Sequence, residues 1–504
     1  MTQDTVLTST STARLDHLDI HDTSDINMNP VVHETSGVHE TSDVSDTSDT
    51  ETEDDDEEIF ADVLAHLDKQ CLMELAASVR QHKDSTHDDD RPPTIEAPMY
   101  GSTHVIFPLL FQDGVRWLAK IHVTGVPGKW TDLSSRALTA EAKTMRLLKR
   151  ETTIPLPEVY DFSATTENPL GCPYMFISHI QGRSLYDVWF AHRLGNRSQE
   201  DVDRCRMKAL EGIARAMVQL KAFCFKRSGI PTFDSTGVPS GTAPSRCMDH
   251  EAMMKRGLQE DSLDEFIYVE EPCYYDIYDY FVDGLKMEDE PNNFNRGLTF
   301  LLELLISCIP SHPQAQPFVL AHPDYNIQNF LVSDDGELQG IIDWDGASAV
   351  PRSLGPEGYP SWLTRDWDPM MYGYKASMDE DVKPLGVWED SPECLRKYRG
   401  VYRDMVAKAR EAMVRDGVDV GVLPDVNITR ASLMVQNLGI AAGSSMCRTH
   451  IAMKIVGEIA GLPEGDDALL HFFDLVNDFA AGKVDDDVIR DLKAGVERLF
   501  TGDY

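Results

Sequence analysis

Four polar residues, His322, Asp324, Asn329 and Asp343, have the types and spacing that phosphoryl transfer requires. They lie in Ala321-His322-Pro323-Asp324-Tyr325-Asn326-Ile327-Gln328-Asn329 and, after a hydrophobic run, in Ile341-Ile342-Asp343-Trp344-Asp345. In the transition state of such a transfer, charge spreads over a phosphoryl group held between two in-line oxygens. The protein's task is then to position groups and neutralise charge. Asp324 would accept the proton of an attacking hydroxyl. Asn329 would offer a neutral amide oxygen to a metal ion, and Asp343 the anionic oxygen that a hard cation bridging phosphates prefers. Asp345 is left either to order the loop or to complete the metal's outer shell.

The surrounding residues predict how these side chains are delivered. Pro317-Phe318-Val319-Leu320 reads as a strand leading in, Phe330-Leu331-Val332 as one leading out, and Leu338 to Ile342 as a return strand after the turn Ser333-Asp334-Asp335-Gly336. A phosphate site of this kind also needs a lysine on an upstream strand and a carboxylate on the next helix to hold it. Val115 to Val123 reads as that strand, with Lys120 set between apolar neighbours where an unpaired ammonium would be costly. Thr131 to Arg150 has helical periodicity through Leu138, Ala142, Met145 and Leu148 and carries Glu141, predicting a Lys120–Glu141 ion pair. One hairpin earlier, Tyr100-Gly101-Ser102-Thr103-His104 is a lid with a single glycine, where the amides and hydroxyls of Ser102 and Thr103 could touch phosphate oxygens; the bland alternative is a plain turn.

In this order, the lid, Lys120, Glu141, His322-x-Asp324-x-x-x-x-Asn329 and Ile342-Asp343-Trp344-Asp345 resemble the aminoglycoside phosphotransferase and choline kinase group of kinase-like enzymes. Val350 to Gly355 and Tyr359 to Pro369 are similar to a fungal branch of that group. The resemblance runs from about Glu58 to near the C-terminus. It implies an α+β, two-lobed protein-kinase-like fold, with a small antiparallel sheet lobe followed by a large helical lobe. It further implies ATP and Mg2+ as cofactors: Lys120 on the α- and β-phosphates, Glu141 on Lys120, Asp324 as base, and Asn329 and Asp343 on the metal. Adenine would pair with backbone in the connector Tyr174 to Gly182, at the Ser178 carbonyl and the Ile180 amide. Three features depart from ordinary protein kinases: Pro323 precedes the base, no Phe-Gly follows Asp343, and no Ala-Pro-Glu closes a later segment.

Composition agrees. A chain of 504 residues, 42% hydrophobic, can bury two lobes. Residues 1–57 are acidic, repeat His33-Glu34-Thr35-Ser36 as His39-Glu40-Thr41-Ser42, and read as a disordered tail; its Ser45, Thr47, Ser48 and Thr50 could alternatively be phosphorylation sites for an acid-directed kinase. Residues 58–92 are expected to form a helix and linker, 93–180 the lobe with lid, lysine strand and glutamate helix, and 181–504 the helical lobe. The net charge of −39 argues against nucleic acid and anionic membrane as partners. Nine cysteines, without Cys-x-x-Cys, indicate neither a zinc site nor a disulfide framework. No signal peptide or spanning segment is read, so a cytoplasmic location is expected.

The expected activity is therefore transfer of the γ-phosphate of ATP to a hydroxyl of a small molecule. The alternatives are a nucleotide-binding pseudokinase that recruits a partner and an atypical protein kinase. Acids and tyrosines between Asp261 and Phe281 could hold a cationic acceptor, against the simpler reading of a helix with Tyr inward and acids outward. Arg365 with Asp366 and Asp368 reads as a structural ion pair, or else as a closure of the acceptor pocket.

Overall fold

A computed structural model describes residues 58–504 except 84–90, 194, 196, 250, 251, 254, 255, 257–265, 286–291, 311–315, 381, 385, 416–426 and 464. The acidic tail and its phosphorylation candidates lie outside the described residues, as do Asp261 to Glu265.

The front half is an antiparallel sheet. Its strands are β1 (Thr94–Ile95), β2 (Met99–Tyr100), β3 (His104–Leu110), β4 (Arg116–His122), β5 (Val159–Ser163) and β6 (Tyr174–Ser178), in the order β1-β3-β4-β6-β5 with β2 also on β3. Alternation along β4 sends its side chains to two faces. Trp117, Ala119 and Ile121 join Phe107 and Leu109 in a core closed by Val63 and Leu72 from the helices Ala61–His66 and Lys69–Lys83 and by Phe60, which caps the first of them. Lys120 therefore points the other way, toward the helix Asp132–Glu151. That helix starts where Thr131 accepts a hydrogen bond from the Ser134 amide, and it buries Leu138, Glu141, Ala142, Met145 and Leu148.

Beyond the connector come β7 (Arg183–Ser184), the helices Leu185–Trp189 and Gln199–Met217, and β8 (Cys224–Phe225). Gly, Pro and Ser between 228 and 245 would by composition give a loop, but the stretch forms strands β9 (Ile230–Phe233) and β10 (Pro239–Ala243). Next, β11 (Ser245–Met248) pairs with β12 (Tyr268–Glu271). In its described part, the tyrosine-rich segment is a strand over Tyr268–Glu271 and helical only over Ile277–Val282. Strand β13 (Phe318–Ala321) pairs with β8 and with β16 (Ser348–Pro351), while β14 (Phe330–Val332) pairs with β15 (Leu338–Ile341) and β7. The remainder is helical: Asn293–Ile306, Pro392–Arg415, Ile428–Gly443, Ser445–Ala460, Asp466–Ala481 and Asp486–Thr501. The expected two-lobed α+β arrangement is the one observed. One expected helix, Ile59 to His82, is broken at Leu67, which is extended, with the Asp68 carboxylate accepting from the Gln70 and Cys71 amides to start the second piece.

Helices Asn293–Ile306 and Asp466–Ala481 approach closely because Gly297 has no side chain. A Cβ there would lie 2.0 Å from the Val476 carbonyl oxygen. Gly297→Ala gains about 1 kcal/mol in helix propensity but must push a backbone away, and overpacking costs about 1–3 kcal/mol. With a rigid helix opposing the methyl, the expected net result in urea unfolding is a loss of about 1–2 kcal/mol.

Candidate functional site

Five residues foreseen from sequence meet between the halves. Lys120 Nζ donates to Glu141 Oε1 at 2.8 Å and reaches Asp343 Oδ1 at 3.4 Å. Burial alone would lower the Lys120 pKa, but Glu141, Asp343 and Asp345 together hold it above its ordinary value. Burial pushes the Glu141 carboxyl up while Lys120 pulls against it. The 2.8 Å contact keeps the pair ionic.

On the other wall, Asn329 Nδ2 donates to the Asp324 carbonyl at 2.9 Å and to Asp324 Oδ2 at 2.8 Å. Burial raises the Asp324 carboxyl, Asn329 opposes that, and neighbouring Asp343 adds to it. The loop is set by His322, whose Nδ1 accepts from the Asp324 amide at 3.2 Å while Nε2 lies 2.8 Å from the Ile342 carbonyl oxygen. This pattern assigns a neutral ring with its proton on Nε2. Burial lowers the ring's pKa in agreement.

Asp343 has φ of 62°, the one positive φ outside glycine among the described residues. The left-handed region is costly for a side-chain-bearing residue, though Asp tolerates it better than most. The turn is fixed by buried Trp344, whose Nε1 donates to the Ile341 carbonyl at 3.0 Å, and by the Ile342 amide donating to the Asn329 carbonyl at 3.0 Å. The Asp343 carboxylate is left half exposed.

Asn329 and Asp343 could hold a hard divalent cation. Asn329 spends its NH2 on Asp324, so its amide oxygen is the end left for a cation, and Asp343 adds an open carboxylate. Mg2+ usually takes one or two protein oxygens and completes its shell with phosphates and water.

The other candidates stand apart: no hydrogen bond among the described residues joins Ser102, Thr103, Ser178 or Ile180 to these five. Thr103 Oγ1 lies 2.9 Å from His104 Nδ1 in the lid turn. Ser178 ends β6, its hydroxyl accepting from the Glu158 amide at 2.9 Å, and the Ile180 side chain packs over Gly340. Arg365 does not pair with its neighbours: it binds Glu389 at 2.7 Å, while Asp366 is held by both terminal nitrogens of Arg399. Both are ion pairs within the rear half, and neither involves Asp324, Asn329 or Asp343.

Sequence reading missed a second cluster beside Lys120. Arg246 of β11 donates to Asp345 Oδ2 at 3.1 Å, and His104 Nε2 lies 3.9 Å from the same oxygen. His122 stands edge-on to His104 with ring centres 4.9 Å apart, and the Tyr268 hydroxyl is 3.1 Å from His122 Nε2. Nothing in the local pattern of Ser245-Arg246-Cys247 signals this, because the partners are distant in the chain.

Comparison with known proteins follows the same lines. A family model described as "Phosphotransferase enzyme family" matches residues 130–353, the stretch carrying Glu141, Asp324, Asn329 and Asp343. The resemblance read from the sequence therefore holds. Among curated relatives, a subtelomeric hrmA-associated cluster protein of Aspergillus fumigatus is 22% identical over 382 residues, covering 62% of this chain and 68% of that protein. Clavilactone A biosynthesis cluster protein Y of Ampulloclitocybe clavipes is 29% identical over 107 residues, 20% of this chain and 24% of that one. Among solved structures, amicoumacin kinase hAmiN in complex with AMP-PNP, Ca2+ and Ami is 13% identical with a TM-score of 0.39, covering 84% of this chain and 96% of that chain.

The histidine pair makes stability depend on acid. Burial, with Arg246 and Lys120 and against Asp345, pushes His122 down to about 3, and burial with Lys120 lowers His104 as well. Unfolded, each would titrate near ~6.5. The folded state then binds fewer protons between these values, so the stability is fully present above about 6.5 and is lost as pH falls toward about 3. Urea midpoints measured across that window should decline with acid, and His122→Asn should flatten the decline.

Proposed function

Taking the likeness of residues 130–353 to the phosphotransferase enzyme family as premise, we propose that this protein moves the γ-phosphate of ATP, with Mg2+, to a hydroxyl of a small molecule. The observation that carries this reading is the contact of Lys120 with both Glu141, at 2.8 Å, and Asp343, at 3.4 Å, in a cleft whose other wall holds Asp324 on Asn329. An ammonium between a buried anchoring carboxylate and an open one is placed to hold phosphate oxygens.

In the proposed reaction the acceptor oxygen attacks the γ-phosphorus, its new P–O bond forms as the bond to the β–γ bridging oxygen breaks, and ADP leaves. The hydroxyl proton passes to Asp324. Asn329 orients that carboxylate through Nδ2 and, with Asp343, would hold the metal. Magnesium there would supply positive charge against the charge developing on the phosphoryl oxygens. Glu141 fixes the Lys120 ammonium, which would bind the α- and β-phosphates. Ser102 and Thr103 in the lid, and the Ser178 carbonyl and Ile180 amide in the connector, would complete the nucleotide contacts. One relative, alike over 20% of this chain, is named for clavilactone A biosynthesis, which makes metabolites of that kind the first acceptors to try.

Isotope transfer from γ-labelled ATP into a metabolite extract tests the reading. Wild type should label at least one acceptor, and Asp324→Asn should label it about 10² to 10⁴ more slowly, the usual contribution of a positioned base. Because Asp324 must be ionised and burial with Asp343 raises its pKa, the wild-type rate should climb with pH through a value higher than that of an ordinary aspartate. Equal labelling by the two proteins would refute the assignment.

A further inference from the structure

The strand pair β11–β12 reaches the cleft from a part of the chain that holds none of the motif residues. It packs on the Glu141 helix, where Arg136 pairs with Glu270. Register sets Arg246 opposite Glu270 and Met248 opposite Tyr268. The Arg246 side chain is only 8% exposed, its guanidinium carbon lies 4.6 Å from the Tyr268 ring centre, Nη2 is on Asp345, and Nη1 is buried without a hydrogen-bond partner.

A cation buried this deeply needs a reason. Lys120 interacts with three carboxylates, those of Glu141, Asp343 and Asp345. Were Asp345 uncompensated, it would compete for the ammonium and leave the cleft more negative just where a triphosphate would enter. Charges a few ångströms apart at a partly buried site interact by several kcal/mol before solvent screening. Arg246 offsets Asp345 directly, with Nη2 3.1 Å from Oδ2.

Resting on the phosphotransferase reading, we infer that Arg246 is a positioning residue for the triphosphate: by neutralising Asp345 it leaves Lys120 to Glu141 and to the phosphates. The role is electrostatic rather than a matter of pinning the strand pair, and this distinction is testable.

The test measures binding of a fluorescent ATP analogue with Mg2+ to the full chain, alongside thermal melts. Arg246→Met should weaken binding about tenfold, equivalent to ~1.4 kcal/mol. Adding Asp345→Asn to Arg246→Met should restore affinity to within about threefold of wild type, since both charges are then gone. A merely structural arginine predicts no such rescue. Wild-type affinity in Arg246→Met, or a double variant no better than the single one, overturns the inference while leaving the phosphotransferase reading intact. If Arg246→Met melts below the assay temperature, Asp345→Asn alone decides: tighter binding supports the inference and weaker binding overturns it. Failure of wild type to bind the analogue at all would refute the phosphotransferase reading, and the inference with it.

Discussion

The Lys120–Glu141 ion pair is the constraint around which the rest of the fold is arranged. Both groups are nearly inaccessible to water, and transfer of two charges into such a place is favourable only when their geometry is good. That geometry demands a fixed relation between a strand and a helix. The period-two alternation of β4 keeps Trp117, Ala119 and Ile121 in one core while Lys120 faces the other way. The helix bearing Glu141 is held along most of its length by Leu138, Ala142, Met145 and Leu148, which belong to the same contiguous core as the rear helices. Removing either partner would strand a charge, typically at about 3–5 kcal/mol, so the pair also ties the front sheet to the rest of the molecule.

The opposite wall solves a different problem. An acidic side chain has to stand in the open without its loop wandering. Asp343 does this by adopting a left-handed backbone that buried Trp344 and the Asn329 carbonyl enforce from both sides. Strain of this kind, of order 1–3 kcal/mol, persists only where the surroundings over-determine it. His322 links the two segments by contacting the Asp324 amide and the Ile342 carbonyl, which places the Asp324 and Asp343 loops in register. The histidine of the motif is thus a brace, and its neutral, buried state suits that work.

How much of this could be read in the sequence depended on how far apart the interacting residues lie. Asp324 and Asn329 share one loop, so their spacing carries the geometry. Lys120 and Glu141 sit on successive elements with clear two-residue and helical periods, and local pattern again suffices. Arg246 is different: it reaches Asp345 across 99 positions from a strand whose Gly- and Pro-rich approaches read as loop. The hairpin there depends on Gly229 at φ +113° and on an irregular register at Gly241, tertiary choices that propensity does not foresee. The same limit hid the break at Leu67, where an apolar residue fits either one long helix or two short ones, and the redirection of Arg365 to Glu389.

With a net charge of −39, the chain would have to work against its own field to bind a triphosphate, as the proposed function requires. At physiological salt that field decays over about 8 Å, so remote carboxylates matter little once the nucleotide is inside the cleft. The charges that decide affinity are those within that radius, and there the balance is set by a few fixed groups: two buried cations against Glu141, Asp324, Asp343 and Asp345. Divalent metal would tip the remaining negative excess toward neutrality. An acidic surface and an anionic ligand are therefore compatible so long as Lys120 and Arg246 stay pinned by partners that cannot follow the nucleotide out.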